Sequence, residues 1–178
     1  MTEFKKHIET NKKAWNKRTP IHIKSKFYNN EEFKKGKESL KPIELNAIGD
    51  VKGKSLLHLQ CHFGQDSISF ARMGAKVTAV DFSDVGINEA RKISEEIKVP
   101  VNFIESNVLD LKLNKEFDII FSSYGAIGWL PDLDKWASTI AAHLKKGGLF
   151  LLTEFHPFLE LIKDNGYDYF YDPKPDIE

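Results

Sequence analysis

Polar side chains follow several apolar segments of this sequence, at the points where predicted strands would end. Asp81 follows the second segment, 17 residues beyond Gly64, and Asn107 follows the third. An acid in such a place can accept both hydroxyl hydrogens of a ribose, and an asparagine offers a donor and an acceptor to the edge of an adenine. The alternatives are an acid at a helix N-terminus and a turn asparagine. The pattern predicts a site for a nucleoside-like ligand.

The turn after the first apolar segment disfavours a dinucleotide. A pyrophosphate site would need the pattern G-x-G-x-x-G, so that the backbone can approach the phosphates closely. This turn has one glycine, Gly64, and the best register puts Gln60, His62 and Gln65 at the three glycine positions. A ligand without phosphates needs that approach less. A nicotinamide-dependent oxidoreductase therefore stays only as a disfavoured alternative.

The segments after the fourth and fifth apolar runs supply further candidates. Residues 122–131 contain two glycines and two aromatic residues, which suits a shaped apolar pocket. The face of Trp129 can attract a cation such as a sulfonium, and packing at a helix edge is the alternative. Glu154 and His156 follow the fifth run and are predicted to point over the same cleft.

Strands and helices alternate from Gly53 onward, and these elements must position the candidate site residues. The helices are predicted at 64–73, 83–98 and 132–146, the second capped by Ser83 and the third ended by Gly147 and Gly148. The strands are predicted at 55–60, 76–80, 101–104, 117–121 and 149–152. Strands separated by helices form a parallel sheet, and ligands bind beyond the carboxyl ends of its strands. The predicted fold class is α/β, a parallel sheet with helices on both faces.

An N-terminal helical cap is predicted over residues 1–48. Pro20 is expected to end its first helix, and Pro42 to interrupt the second or split it in two. The α/β core then covers 49–157, and 158–178 form a tail.

Charge and composition narrow the classes of protein. The chain has 178 residues and a net charge of zero, although residues 1–54 carry an excess of Lys and Arg. A basic segment can contact nucleic acid, but the balanced total charge favours a solvated helical arm and no nucleic-acid partner. No apolar run reaches membrane-spanning length, so no membrane partner is expected. A single cysteine, Cys61, fits a reducing cytoplasm.

Three stretches together resemble the cofactor-binding core of class I S-adenosylmethionine (SAM) dependent methyltransferases: LLHLQCHFGQDSISFARMGAKVTAVDFS, FDIIFSSYGAIGWLPD and LKKGGLFLLTEFHP. The resemblance covers roughly residues 50–157 and depends on the combination and spacing of the motifs. It implies a Rossmann-like fold, SAM as cofactor and methyl transfer to an acceptor. The aromatic residues around the predicted pocket favour a small-molecule acceptor.

The resemblance also implies roles for particular residues. In the family, the first turn lies beside the methionine part of SAM, the acid after the second strand holds the ribose, and the residue at position 107 lies beside the adenine. The cofactor-binding residues implied are Gln60, Cys61, His62, Gly64, Asp81, Phe82, Asn107, Val108, Ser122 and Tyr124. The cap commonly closes the site, so the residues expected in the substrate pocket are Trp15, His22, Tyr28, Trp129 and Glu154.

Catalysis of methyl transfer requires mainly alignment and a dry pocket, because the sulfonium already activates the donor. A base is needed only if the acceptor must lose a proton, and His156 and Tyr124 are the candidates, with His62 as a third. Packing or hydrogen bonding is the alternative for each histidine. Cys61 has no evident base arrangement, and His58 and His62 lack further ligands, so no metal site is predicted.

Two departures separate the chain from the family pattern. His58, Gln60 and His62 stand where the family usually has an acid and glycines. From the sequence we also expect the last two strands of the usual seven-stranded sheet to be missing, which would leave the fifth strand at an edge. Bare edges invite pairing, so we expect either a fragment or a homodimer that covers this edge. A non-catalytic or truncated SAM-fold domain is the alternative to an active enzyme.

Overall fold

The computed structural model describes residues 3–156 of the chain. The helices are α1 (Glu3–Lys24), α2 (Asn30–Lys34), α3 (Pro42–Ile48), α4 (Gln65–Arg72), α5 (Asp84–Glu96) and α6 (Leu133–His143). The strands are β1 (Ser55–Leu59), β2 (Lys76–Asp81), β3 (Asn102–Glu105), β4 (Phe117–Ser122) and β5 (Leu144–Leu152). Two short 3-10 helices cover Val108–Asp110 and Ile127–Trp129.

The five strands form one parallel sheet in the order β3-β2-β1-β4-β5. The chain moves outward in one direction from β1 to β3 and then returns to place β4 on the other side of β1. The carboxyl ends of β1 and β4 therefore mark the topological switch point, where ligands bind in such sheets. This topology confirms the predicted Rossmann-like sheet with flanking helices.

Both faces of the sheet are covered by apolar side chains. Every residue of β1 is buried, and successive side chains of a strand point to opposite faces. Leu56 joins the cluster that contains Phe70 of α4, whereas Leu57 joins the cluster that contains Trp136 of α6. Such double coverage explains why the strands are nearly continuous apolar runs in the sequence.

The first helix differs from the prediction. It continues through Pro20 to Lys24, although a proline removes one backbone donor and crowds the preceding turn. The residues beyond Pro20 are held by His22, whose ring contacts His62 of the core and stacks on Tyr28. The prediction that Pro20 ends the helix was wrong because these tertiary contacts were not visible in the sequence. Pro42 instead begins α3, as the predicted split allows.

The junction between α6 and β5 also differs from the prediction. The helix ends at His143 rather than near Lys146, and β5 begins at the next residue. The pairing of β5 with β4 is irregular between Phe117 and Ile119. A Cβ atom on Gly148 would lie 3.0 Å from the carbonyl oxygen of Asp118. The paired glycines thus serve an irregular strand start instead of a helix end.

The fifth strand lies at the edge of the sheet. Among residues 3–156 it pairs only with β4, and Leu149 is 38% exposed. This agrees with the predicted edge position. Within the same described range, no helix is both long enough and apolar enough to cross a membrane.

Candidate functional site

A cavity of about 760 Å³ lies above the carboxyl ends of the strands. Its walls come from α1, from the segment that contains α2 and α3, and from the segments that follow the five strands, with Phe155 after β5. This volume falls within the range of pockets that hold small ligands. The cavity therefore occupies the place that the topology assigns to a ligand.

Most of the residues predicted for the site line this cavity. Those from the core are Gln60, Cys61, His62, Gly64, Asp81, Phe82, Asn107, Val108 and Tyr124. Those from the cap and the loop after β4 are Trp15, His22, Tyr28 and Trp129. Three predicted residues do not line it: Ser122, Glu154 and His156.

The turn after β1 adopts glycine-like backbone angles at residues that are not glycine. Gln60 has a φ of 57° and His62 a φ of 52°, in the left-handed region that L side chains rarely adopt. Gln60 Nε2 donates to the carbonyl oxygen of Ala126, at 2.9 Å, across the cavity floor. The turn thus keeps the shape expected of a glycine-rich turn while its side chains tie it to the loop after β4.

Gly64 is the position in this turn where a side chain would collide with the core. A Cβ atom there would lie 2.6 Å from the ring of Phe103 on β3. Gly64 also has a φ of 79° and precedes the first residue of α4. Close approach between the start of this helix and β3 therefore requires glycine.

Asp81 is fixed at the end of β2 by backbone donors. Oδ2 accepts the N–H of His62 at 2.8 Å, and Oδ1 accepts the N–H of Ser83 at 2.8 Å. Burial raises the pKa of Asp81 to about 6, although these hydrogen bonds favour the charged form. Each carboxylate oxygen keeps a second lone pair, so Asp81 can still accept ribose hydroxyls. Ser83 itself caps α5, as predicted, by accepting from the N–H of Gly86.

Asn107 lies on the cavity wall and also shapes its own turn. Its Oδ1 accepts the N–H of Leu109 at 3.1 Å, and its Nδ2 donates to Asp110 Oδ2 at 3.0 Å. These bonds match the turn role given above as the alternative. The remaining lone pair and amide hydrogen of Asn107 can still meet a ligand.

A pair of histidines joins the cap to the turn after β1. His22 Nδ1 lies 3.0 Å from His62 Nε2, and the ring of Trp15 meets that of His62 edge-on at 5.1 Å. Burial lowers the pKa of His62 to about 3. Burial and the charge of Arg18 lower the pKa of His22. Both rings are therefore neutral at neutral pH, and one N–H is shared between them.

Beneath the turn, His58 stands where the family usually has an acid. It is buried, with Nδ1 2.7 Å from Ser67 Oγ and its ring against Phe121. Burial lowers the pKa of His58 to about 3, so this ring is neutral as well. Among residues 3–156, no group of three or more His, Cys, Asp or Glu side chains is placed to hold a metal ion.

The three predicted residues outside the cavity have other positions. Ser122 is buried at the end of β4, where its hydroxyl faces Gln60 Oε1 at 3.5 Å. Glu154 accepts backbone N–H groups of the loop after β4, from Gly125, from Ala126 at 2.9 Å and from Ile127 at 3.2 Å. His156 is exposed. Glu154 thus shapes the loop after β4, and neither Glu154 nor His156 lines the cavity as expected. The role of His156 as a base stays a prediction.

Tyr124 does reach the cavity, but its surroundings oppose a role as a base. Burial, a hydrogen bond with Glu44 and the charges of Glu44 and Asp66 raise the pKa of Tyr124 well above its ordinary value. The phenol therefore keeps its proton at neutral pH and can only donate or share it. Tyr124 remains a candidate for holding a ligand.

Sequence reasoning missed the two carboxylates themselves. Glu44 of α3 and Asp66 of α4 both line the cavity, together with Ser39 and Ser123. Asp66 stands two residues after Gly64, in the first turn of α4, where an acid is ordinary. The sequence did offer one indication of this wall, since Glu44 is an acid inside the short, otherwise mostly apolar helix α3.

Comparison with known proteins places this geometry among methyltransferases. The model of a family described as "Methyltransferase domain" matches residues 56–148, just over half of the chain. The ubiquinone biosynthesis O-methyltransferase of Paramagnetospirillum magneticum (strain ATCC 700264 / AMB-1) is 33% identical over 100 residues. That match covers 56% of this chain and 40% of the relative, so the chain spans less than half the length of that relative.

Two solved structures share the fold. A protein of Pyrococcus horikoshii OT3 superimposes with a TM-score of 0.64 at 23% identity, covering 80% of this chain and 65% of its own. A glycopeptide N-methyltransferase crystallised with S-adenosyl-L-methionine has a TM-score of 0.55 at 23% identity, covering 62% of this chain and 51% of its own.

Proposed function

This chain belongs to the methyltransferase-domain family, and on that basis we propose that it binds SAM and transfers its methyl group to a small molecule. The observation that carries the proposal is the position of Asp81. Its carboxylate lines the cavity at the end of β2, beside the switch point, and is held in place by the turn after β1. An acid at this place suits a ribose, and the glycine-like angles of that turn suit a ligand that lies against the backbone.

We place the parts of SAM along the row of strand ends. Asp81 and Phe82 would hold the ribose, and Asn107 and Val108 the adenine. The turn from Gln60 to Gly64, with Cys61 and His62, would lie beside the methionine part. Ser122, which is buried, would act through Gln60 instead of touching the cofactor. When bound, SAM supplies a methyl group on a cationic sulfur.

The protein's own residues would then align the acceptor and exclude water. Trp15, His22, Tyr28 and Trp129 cover the cavity from the side of the cap and the loop after β4. Holding two reactants in line can supply about 7–11 kcal/mol of the barrier in well-oriented cases. A pocket closed by aromatic rings excludes water and suits a small acceptor.

Several wider features of the function belong to the same proposal. We divide the chain into a cap over 1–48, a core over 49–157 and a tail over 158–178, which lies outside the described residues. The core would contact the cofactor, and the cap would contact the acceptor. We also propose a cytoplasmic location, which the buried free thiol of Cys61 supports, and no nucleic-acid partner. The edge position of β5 in the described part of the chain favours a homodimer.

Calorimetric titration with SAM tests the proposal. We expect micromolar binding by the wild-type protein, no binding of NAD and loss of SAM binding in Asp81→Ala. Asp134→Ala is the matched control, because Asp134 is an exposed aspartate on α6 outside the cavity. A folded wild-type protein that binds no SAM would overturn the proposal. Binding without turnover on any acceptor would leave a non-catalytic SAM-fold domain.

A further inference from the structure

Two carboxylates on the cavity wall, Glu44 and Asp66, have no cationic partner among residues 3–156. Glu44 is 1% exposed, and its Oε1 is buried with no hydrogen-bond partner. Its Oε2 accepts the N–H of Lys41 at 2.7 Å. Asp66 is partly open to the cavity and accepts the hydroxyls of Ser39, at 2.7 Å, and Ser123, at 3.4 Å.

No positively charged side chain in the described part of the chain forms an ion pair with either carboxylate. Lys41 also lines the cavity, but its Nζ lies over the ring of Tyr124, 4.3 Å from the centroid. Burying an uncompensated charge is costly, so proteins usually pair such groups. This wall of the cavity is thus anionic and incompletely satisfied.

The carboxylates lie away from the place proposed for the adenosine. That part of SAM would occupy the ends of β2 and β3, whereas Asp66 contacts Ser123, which follows β4. Tyr28 and Tyr124 line the same cavity. Burial, a hydrogen bond with Glu44 and the charges of Glu44 and Asp66 raise the pKa of Tyr124, and burial and the charge of Asp66 raise the pKa of Tyr28 to about 12. Two aromatic rings therefore flank the anionic wall, on the side of the cavity left for an acceptor.

We propose that Asp66, backed by Glu44, forms a subsite for an alkylammonium group of the methyl acceptor. This inference rests on the proposed function, since it names the class of acceptor for the same cavity. An ammonium has three donors and one positive charge, which match the open lone pairs of Asp66 and the unbalanced charge of Glu44. The methionine part of SAM carries the same chemical group, so the test separates the two sources.

Calorimetry with 2-phenylethylamine as the probe, and 2-phenylethanol as its neutral counterpart, tests the subsite. Both are titrated with and without saturating S-adenosylhomocysteine. We expect the amine to bind about tenfold tighter than the alcohol, because a charged hydrogen bond is formed only by the amine. Asp66→Asn and Glu44→Gln should each remove most of this preference. Glu95→Gln, an exposed acid on α5, is the matched control and should keep it.

The affinity for S-adenosylhomocysteine decides the source of the ammonium group. It should stay unchanged in both variants if the subsite serves the acceptor. If the two variants lose affinity for S-adenosylhomocysteine as strongly as they lose affinity for the amine, the carboxylates bind the cofactor's own amino group. That result would overturn the acceptor assignment. Equal binding of amine and alcohol would overturn the subsite itself. If the wild-type protein binds no S-adenosylhomocysteine, the proposed function fails, while the titrations without it still decide the subsite.

The stability of the unliganded protein gives a second, probe-independent measurement. Because Glu44→Gln removes an unpaired buried charge and keeps the acceptor for the N–H of Lys41, we expect Tm to rise by about 2–4 °C. A lower Tm would show that the charge holds the fold together instead of awaiting a ligand. That result would overturn the role given to Glu44.

Discussion

At the scale of single residues, the turn after β1 shows how a backbone shape can persist while side chains change. Gln60 and His62 accept left-handed angles that cost of order 1 kcal/mol each, and both side chains gain contacts that a glycine would lack. Gly64 differs because its Cβ position is filled by Phe103. In this turn, residues other than glycine are therefore accepted at positions 60 and 62, whereas position 64 requires glycine.

This contrast predicts the effect of adding a methyl group at Gly64. Gly64→Ala should lower the free energy of unfolding by about 1–3 kcal/mol more than a substitution that only strains the backbone, because the new Cβ overlaps Phe103. Gly53→Ala provides that reference, since Gly53 has a φ of 77° and nothing within 4 Å of its Cβ position. Urea unfolding of the two variants measures the difference. Equal losses would contradict the close approach between α4 and β3.

A second residue-scale prediction concerns pH. The pKa of His58 is about 3 in the folded protein against 6.5 for the free side chain, so below pH 6.5 the unfolded state binds the extra proton. Stability contributed by neutral His58 is thus complete above pH 6.5 and declines as the pH falls toward 3. At about pH 5 the loss should be about 2 kcal/mol. His58→Asn removes this dependence.

Urea unfolding of the wild-type protein and His58→Asn, near pH 8 and near pH 5, measures this difference. The values near pH 8 serve as the reference, because His58 is neutral there in both states. The wild-type protein should lose about 2 kcal/mol more than the variant on going to the lower pH. Parallel losses would mean that His58 is accessible to protons in the folded state.

At the scale of elements, the sequence predicted the five strands and their alternation with helices correctly. Strands β1, β2 and β4 and the second half of β5 are apolar runs between polar turns, and that pattern is local. The first half of β5 lacks the pattern and was assigned to the preceding helix. The errors lie where contacts between distant residues decide, as at Pro20, where His22 meets His62 from the core. Asp81 and Asn107 reached the cavity because strand ends converge in any parallel sheet. Glu44 was missed because its burial depends on how α3 packs on the core.

The continuation of α1 beyond Pro20 has a measurable consequence. Inside a helix a proline forfeits a hydrogen bond and crowds the preceding turn, so Pro20→Ala should raise the free energy of unfolding by about 1–3 kcal/mol. Pro42→Ala is the matched control, because Pro42 stands at the first position of α3, where its fixed φ is favourable. The control should lose about 0.4–1 kcal/mol. Thermal unfolding compares them, and a loss in Pro20→Ala would indicate a helix that ends at residue 20.

At the scale of the whole molecule, the sheet formed by residues 3–156 ends at β5, whose outer side has no partner strand in that range. The first half of β5 carries Lys145 and Lys146, which discourage pairing, whereas its second half is apolar from Leu149 to Leu152. Edge-to-edge pairing of two copies would satisfy the free backbone groups of this half and cover Leu149. The proposed homodimer would then form through the apolar second half of β5, while its charged first half stays unpaired.

A charge placed on that apolar half tests this arrangement. We expect the wild-type protein to sediment as a dimer at micromolar concentrations, and Leu149→Lys to sediment as a monomer with an unchanged circular dichroism spectrum. The spectrum should stay the same because Leu149 is 38% exposed and lies at an edge. Leu133→Lys is the matched control: Leu133 is 48% exposed, but it lies on α6 away from the strand edge, so this variant should remain dimeric. A wild-type protein that stays monomeric, or a Leu133→Lys variant that dissociates as readily as Leu149→Lys, would show that the edge of β5 is not the dimer contact.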